Sequence, residues 1–364
     1  MSETIKEIKS IGVHDFDNWL EPKNFVYTPN PLRPFDIDIK IIACGICGSD
    51  THCAKGDWGR PYTPIAVGHE IIGHIINMGN EVDKTKYHLG DRVGVGAQCD
   101  SCGKCWRCDH DVENSCKTQV GTYGTVRPDG SHSQGGYSNY VRVNKRFVFK
   151  IPDAIETIHA APLLCGGMTG LRPLMTAGVT KGTKVGVSGI GGIGHMTILF
   201  AKALGAEVTA ISRTESKKET ALKLGADHFI ATSDPKFPEE YLDSFDLIVT
   251  TAFSLNDDYV EKAMRMLRPH CKLHFISAPP TGEKLELDPN FLLSNSLSIG
   301  SSAAGSQRDV EYMLQFAADK GIKPWVETID ISEENIAKAW KRMKKGDVHF
   351  RFVLTGYDKY FSQH

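Results

Sequence analysis

The pattern of apolar and polar positions changes character near residue 165. Before it, short alternating apolar runs at 37–43, 71–76 and 140–143 lie among stretches rich in glycine and proline. Alternation with period two, broken by turn residues, predicts many short strands, an all-β or α+β unit. After it, β-rich runs alternate with helical patterns. Strands are predicted at 184–188, 207–211, 246–251 and 272–276, and helices at 196–204, 217–224 and 258–267. Gly205 is placed to stop the first of these helices. Strands and helices alternating at this length predict a parallel sheet with helices on both faces. The tail predicts helices at 309–320 and 333–345 and a β-type run at 349–355. Pattern alone leaves open whether that tail folds back onto the first unit.

Composition narrows the class. At about 150 residues per domain, a chain of 364 residues predicts two domains, each able to bury a core. A hydrophobic fraction of 41% with 24% charged residues is that of a soluble globular protein. The 42 basic and 44 acidic residues give a net charge of −2, which argues against nucleic acid held on a broad basic face. The most apolar stretch, 185–201, is interrupted by five glycines and is too short and broken to span a bilayer. The opening MSETIKEIKSIG lacks the apolar core of an export signal. A cytoplasmic, reducing location is therefore expected, with the 10 cysteines acting as thiols or metal ligands.

Eight of those cysteines lie between Cys44 and Cys116. Cys102, Cys105 and Cys108 recur at every third position and Cys116 follows, four thiols within 15 residues. Zinc takes four thiolates tetrahedrally, and such a closed shell leaves no open position, so the site would be structural. Cys99 supplies a fifth thiol, so Cys99, Cys102, Cys105 and Cys108 form a competing set. Acidic Asp109, Asp111 and Glu113 and the lack of a following helix argue against a nucleic-acid finger. A second set is dispersed: Cys47, His69 beside Glu70, and Cys165, separated by 22 and 96 residues. Three protein ligands with an open fourth position suit a catalytic zinc. Singly, each is equally a small buried thiol or a satisfied core histidine.

Residues 188–194 carry Ser188, Gly189, Gly191, Gly192, Ile193 and Gly194 between a predicted strand and a predicted helix. In that context Gly189 permits a tight turn, Gly191 lets backbone approach a pyrophosphate and Gly194 allows close helix packing. The helix N-terminus then offers N–H groups to phosphate. The alternative is a strand–helix turn without a ligand. At the end of the second strand an NAD site carries Asp or Glu. Here the residues are Ser212, Arg213, Lys217 and Lys218. A guanidinium suits a 2′-phosphate, which predicts NADP(H), with a solvated basic turn as the alternative. Glu215 is the one contrary charge and is expected to face solvent.

Taken together, these segments resemble the medium-chain zinc-dependent alcohol dehydrogenases over nearly the whole chain. The similarity is greatest to the cinnamyl alcohol dehydrogenase group and its broad-specificity, NADP-dependent fungal members. It rests on 44–52, 67–73, 90–94, the four-cysteine lobe, 135–138, 162–165 and 189–194. The resemblance implies an α/β protein of two domains. One is a GroES-like β-rich catalytic domain over 1–158 and 302–364, with a structural zinc lobe at 99–116. The other is a doubly wound parallel-sheet Rossmann domain over 159–301.

The resemblance also implies roles. Cys47, His69 and Cys165 are the expected catalytic zinc ligands, and Glu70 is the carboxylate that can approach the metal. Asp50 is expected to fix His69, and Ser49 and His52 to relay a proton. Cys102, Cys105, Cys108 and Cys116 hold the structural zinc in this scheme, leaving Cys99 outside. Thr169, Thr251, Ser277 and Ser301 fall where relatives meet the cofactor, and Arg351 is expected near its adenosine phosphate. Trp58 and Ile299 are expected in the substrate wall. Met168, expected at the nicotinamide wall, departs from the family's usual residue, as does Ile193 in the glycine turn. The implied activity is NADP(H)-dependent alcohol dehydrogenation and aldehyde reduction on primary alcohols and aldehydes, aromatic or medium-chain aliphatic. It calls for two zinc ions per chain and a homodimer joined by strands near 290–301, with neither nucleic acid nor membrane as partner. A polyol dehydrogenase of the same superfamily and a non-catalytic zinc-stabilised binding protein are the rival readings.

Overall fold

The computed structural model describes residues 5–127, 129–251, 259–279 and 281–363. Residues 1–4 of the opening segment and Asp258, the expected first residue of a helix, lie outside them. The chain divides into two units: Met1–Cys165 with Gly305–His364, and Gly166–Ala304.

The first unit is built on the strand Asp36–Ile46, where isoleucines alternate with charged residues. Ile37, Ile39 and Ile41 are buried, each contributing roughly 1.5–3 kcal/mol of hydrophobic stabilisation. Asp38 points the other way and meets its cross-strand neighbour Arg142 at 2.6 Å. The strand pairs antiparallel with Glu70–Met78 and with Tyr140–Asn144. The tail does fold back. Arg351–Thr355 pairs antiparallel with the end of Asp36–Ile46, and Val326–Asp330 pairs parallel with Arg351–Thr355. The helix Glu333–Lys345 buries Ile336, Ala339 and Trp340 in the same core.

Among the described residues the second unit holds six parallel strands. Their order is His228–Ala231, Glu207–Ser212, Lys184–Ser188, Phe245–Thr250, Leu267–Phe275 and Ser298–Ser301. Numbered along the chain this is 3-2-1-4-5-6, the doubly wound arrangement, with its ligand crevice at the carboxyl end of the first strand, where the order reverses. The two outermost strands escaped the pattern reading. Each has only four residues, too few to show a period.

A helix over 157–176 was also not expected. It runs as Thr157–Pro162, a five-residue π-helical stretch Leu163–Gly167, and Met168–Thr176. Π turns inside α-helices widen the spiral and often occur at functional positions. Cys165 sits in this one.

Candidate active site and metal centres

The four-cysteine lobe comes together as a closed cluster. Four of the Sγ–Sγ separations among Cys102, Cys105, Cys108 and Cys116 are 3.6 or 3.9 Å. A tetrahedron with Zn–S bonds of ~2.3 Å has edges of ~3.8 Å. Cys99 stays out: its thiol donates to the Gly121 carbonyl at 3.3 Å. Burial pushes the Cys108 thiol up to about 11. At Cys116 burial also acts upward, but hydrogen bonds from the Cys102 N–H and from Thr118 outweigh it and bring the thiol to about 6. The lobe is pinned by buried Glu113, whose Oε1 accepts from the Gln307 N–H at 2.5 Å.

The dispersed set also converges. Cys47, His69, Glu70 and Cys165 present ligand atoms that all lie within 4.8 Å of one another. Cys47 and Cys165 are 3.9 Å apart at sulfur, and His69 Nε2 is 2.9 Å from Cys165 Sγ. They come from three different elements. Cys47 caps the helix Gly48–Lys55, His69 and Glu70 lead into the strand Glu70–Met78, and Cys165 lies in the π turn.

Asp50, fully buried, organises them. It accepts from the Cys47 N–H at 2.8 Å and the Gly68 N–H at 3.2 Å, and its Oδ1 is 3.1 Å from His69 Nδ1. Burial disfavours the charged form of His69, yet Asp50 more than offsets it, so the ring is held well above its ordinary range. A metal held at its Nε2 would take the place of the proton there. The Cys165 hydrogen bond holds the Cys47 thiol well below its usual range. Glu70 is fully buried and its carboxyl oxygens take no hydrogen bond among the described residues. Burial pushes its carboxyl up to about 7, against the pull of Arg351. A Cβ at position 45, its cross-strand neighbour, would stand 1.9 Å from Glu70 Oε2, so only glycine leaves room for that carboxyl. Two thiols, an imidazole and a buried carboxylate without a hydrogen bond among the described residues fit zinc.

In the second unit the glycine turn follows the strand Lys184–Ser188. Gly189 has φ +88°. A Cβ at Gly194 would lie 1.8 Å from the Gly189 carbonyl oxygen, whereas at Gly191 it would meet nothing within 4 Å. The turn is thus tight at Gly194 and open at Gly191, where a phosphate would have room to approach. Thr251 Oγ1 donates to the carbonyls of Ser188 and Gly189, both at 3.1 Å. Tyr259 donates to the Ser188 hydroxyl. Ser277 Oγ is buried and without a hydrogen bond among the described residues. Arg213 is exposed and, among the described residues, in no ion pair. These features fit a dinucleotide carrying an extra phosphate.

Residues 33–153 match the alcohol dehydrogenase GroES-like domain and residues 192–319 match the zinc-binding dehydrogenase family. NADP-dependent alcohol dehydrogenase 6 of Saccharomyces cerevisiae is 46% identical over 358 residues, covering 98% of this chain and 99% of that one. Cinnamyl alcohol dehydrogenase 2 of Rauvolfia serpentina is 39% identical, covering 95% of each. The chain belongs to the medium-chain zinc-dependent alcohol dehydrogenases, in their cinnamyl alcohol dehydrogenase group. The solved cinnamyl alcohol dehydrogenase of Helicobacter pylori, complexed with NADP(H), matches with a TM-score of 0.88 at 31% identity, covering 96% of this chain and 98% of that one.

The other residues that the resemblance named are placed as follows. Arg351, expected near the adenosine phosphate, is 3% exposed, and its Nη1 lies 3.3 Å from Glu70 Oε1. Lys217, half-buried, donates to the Ile190 carbonyl at 2.7 Å and so braces the glycine turn. Lys218 pairs with Glu215 at 3.1 Å, both exposed, so its charge is already engaged there. Ile299 packs on the core of the second unit. Thr169 is buried at the start of the helix Met168–Thr176, with Met168 fully buried beside it. Ser301 is exposed at the end of its strand. Trp58 stacks on His52 with ring centroids 5.0 Å apart.

Two residues that touch the candidate site side chains were not named from the sequence. Asp57 Oδ2 lies 2.7 Å from His52 Nδ1, and the sequence signal was there. Gly56 ends the helix in the left-handed conformation and turns the next residue back onto it. Tyr123, whose hydroxyl lies 3.0 Å from His69 Nδ1, had no such signal.

Proposed function

We propose that this protein interconverts primary alcohols and aldehydes with NADP(H), acting on aromatic, cinnamyl-type and medium-chain aliphatic substrates. When bound, zinc supplies Lewis acidity toward the substrate oxygen and NADP(H) supplies or takes the hydride. Cys47, His69 and Cys165 would hold the catalytic ion, with Glu70 beside it. Cys102, Cys105, Cys108 and Cys116 would hold the structural one. The chain's own chemical part is proton movement. Ser49 is half-buried, 3.6 Å from Cys47 Sγ. It takes the alcohol's proton in oxidation and returns it in reduction. His52 lies three residues on, on the same helix face, and passes the proton outward. Asp57 accepts from His52 Nδ1, which leaves Nε2 as the exchanging nitrogen. Ser212 and Arg213 select the 2′-phosphate.

The reading is carried by the convergence of Cys47, His69, Glu70 and Cys165 on one buried point. All ten cysteines are free, which supports a reducing, cytoplasmic location. No helix among the described residues is long and apolar enough to cross a membrane. We further propose a homodimer. The strand Ser298–Ser301 is a sheet edge, and Leu293, on the helix before it, is 79% exposed.

The test is consumption of NADPH and of NADH with cinnamaldehyde, measured side by side, together with zinc content. Fast NADPH-dependent reduction with little NADH use is expected. Cys47→Ser should remove turnover and one of two zinc ions. Near-normal turnover in that variant would refute the assignment.

A further inference from the structure

The first unit holds a cavity of about 520 Å³ that none of the candidate zinc ligands lines. Its wall comes from Tyr27 and residues 28–31, from Cys99 and Thr122, and from Arg127 and residues 129–132. The volume falls within the roughly 300–1,000 Å³ of small-molecule sites.

Three arginines face this cavity, and two are already engaged. Arg33 meets Asp36 at 2.8 Å and Asp100 at 2.6 Å. Arg142 Nε meets Asp38 at 2.6 Å, and its Nη1 donates to the Asn30 carbonyl. Arg127 differs. It is half-buried, and its Nη2 contacts Cys99 Sγ at 3.7 Å. Among the described residues no carboxylate lies within ion-pair distance of it. Burial pushes the Cys99 thiol up to about 11, so that thiol is neutral and offers no counter-charge. Asp129 lines the same cavity, but its Oδ1 accepts from the Ser131 N–H at 2.9 Å and the Ser131 hydroxyl at 2.6 Å. That carboxylate is turned into its own loop.

Asp129 is near enough to feel the Arg127 charge but forms no ion pair with it, so the guanidinium's hydrogen-bond donors remain open to a planar carboxylate, which it matches with two parallel hydrogen bonds. Tyr27 and Val141 provide ring and aliphatic surface in the same wall. We propose that this cavity binds a small organic carboxylate, its charge on Arg127 and its apolar or aromatic body against Tyr27 and Val141. The site is separate from the catalytic cluster and does not depend on the alcohol dehydrogenase reaction.

The probe is 4-iodobenzoate, with 4-iodobenzamide as its uncharged counterpart. Both are soaked into crystals of the zinc-loaded enzyme with NADPH bound, and titrated in solution against the same enzyme. The anomalous signal of iodine should place the benzoate in this cavity with its carboxylate on Arg127. In solution Arg127→Gln should weaken the benzoate at least tenfold, Arg127→Lys should retain part of the affinity, and the benzamide should bind far more weakly. Iodine found only elsewhere, including beside the catalytic cysteines, would overturn the proposal. So would binding at crystal concentration only, with wild type and Arg127→Gln equal in solution.

Discussion

Asp50 has no exposed surface, yet its two oxygens serve the Cys47 and Gly68 N–H groups and His69 Nδ1, and the Tyr137 hydroxyl stands 3.5 Å away. A buried carboxylate persists only when so surrounded by donors. One side chain thereby sets the position of Cys47, the path of the chain into His69 and the tautomer of His69. Arg213 is the opposite case, an exposed cation at the end of a strand. Arg213→Ala should raise KM for NADPH by roughly 10–100-fold, the loss of a charge-assisted hydrogen bond of about 1.5–3 kcal/mol. KM for NADH should change little, and steady-state kinetics with both cofactors checks this. At this scale Cys47 and His69 carried no distinct signal singly and were named through the family resemblance, while Arg213 stood out as a basic residue where an NAD site carries an acid. Asp57, Tyr123 and the contact of Arg351 with Glu70 were less legible, since each acts through a neighbour that only folding supplies.

Long, strongly patterned elements follow their residue patterns closely. The strands Lys184–Ser188 and Glu207–Ser212 and the helix Glu333–Lys345 lie where apolar spacing put them. The π-helical stretch Leu163–Gly167 does not announce itself, because its residues are as apolar as an ordinary helix interior. The strand Leu267–Phe275 carries a titrating group of its own. Burial pushes the His274 imidazole down to about 4, with the like charge of Lys272 adding to it. In the unfolded chain the ring takes a proton near pH 6.5. As pH falls from about 6.5 to about 4, the unfolded state binds the proton first and folding stability declines. His274→Gln should flatten this acid limb by up to about one proton equivalent. Thermal unfolding of wild type and variant between pH 7 and pH 4 measures it.

Over the whole molecule, the tail is the clearest case of long-range closure. Arg351–Thr355 adds to the sheet beside Asp36–Ile46, and Arg351 reaches Glu70 only because of that pairing. The sheet edge at Ser298–Ser301, with Leu293 exposed beside it, bears on assembly. An uncovered edge strand and an exposed leucine invite a second copy. Leu293→Asp should therefore shift the protein from dimer to monomer in sedimentation experiments, and a wild-type monomer would refute the proposed assembly. The sequence by itself determined two units, a β-rich one and an alternating one, a four-thiol lobe and a glycine turn with a basic strand end. Those properties are written in local spacing, where period and ligand separation act over a few residues. Only the tertiary structure decided that Cys47, His69, Glu70 and Cys165 meet, that Cys99 stays out of the lobe, and that Arg351 is buried against Glu70. Those contacts join positions up to hundreds of residues apart, and sheet pairing and core burial, not sequence spacing, set the distances between them.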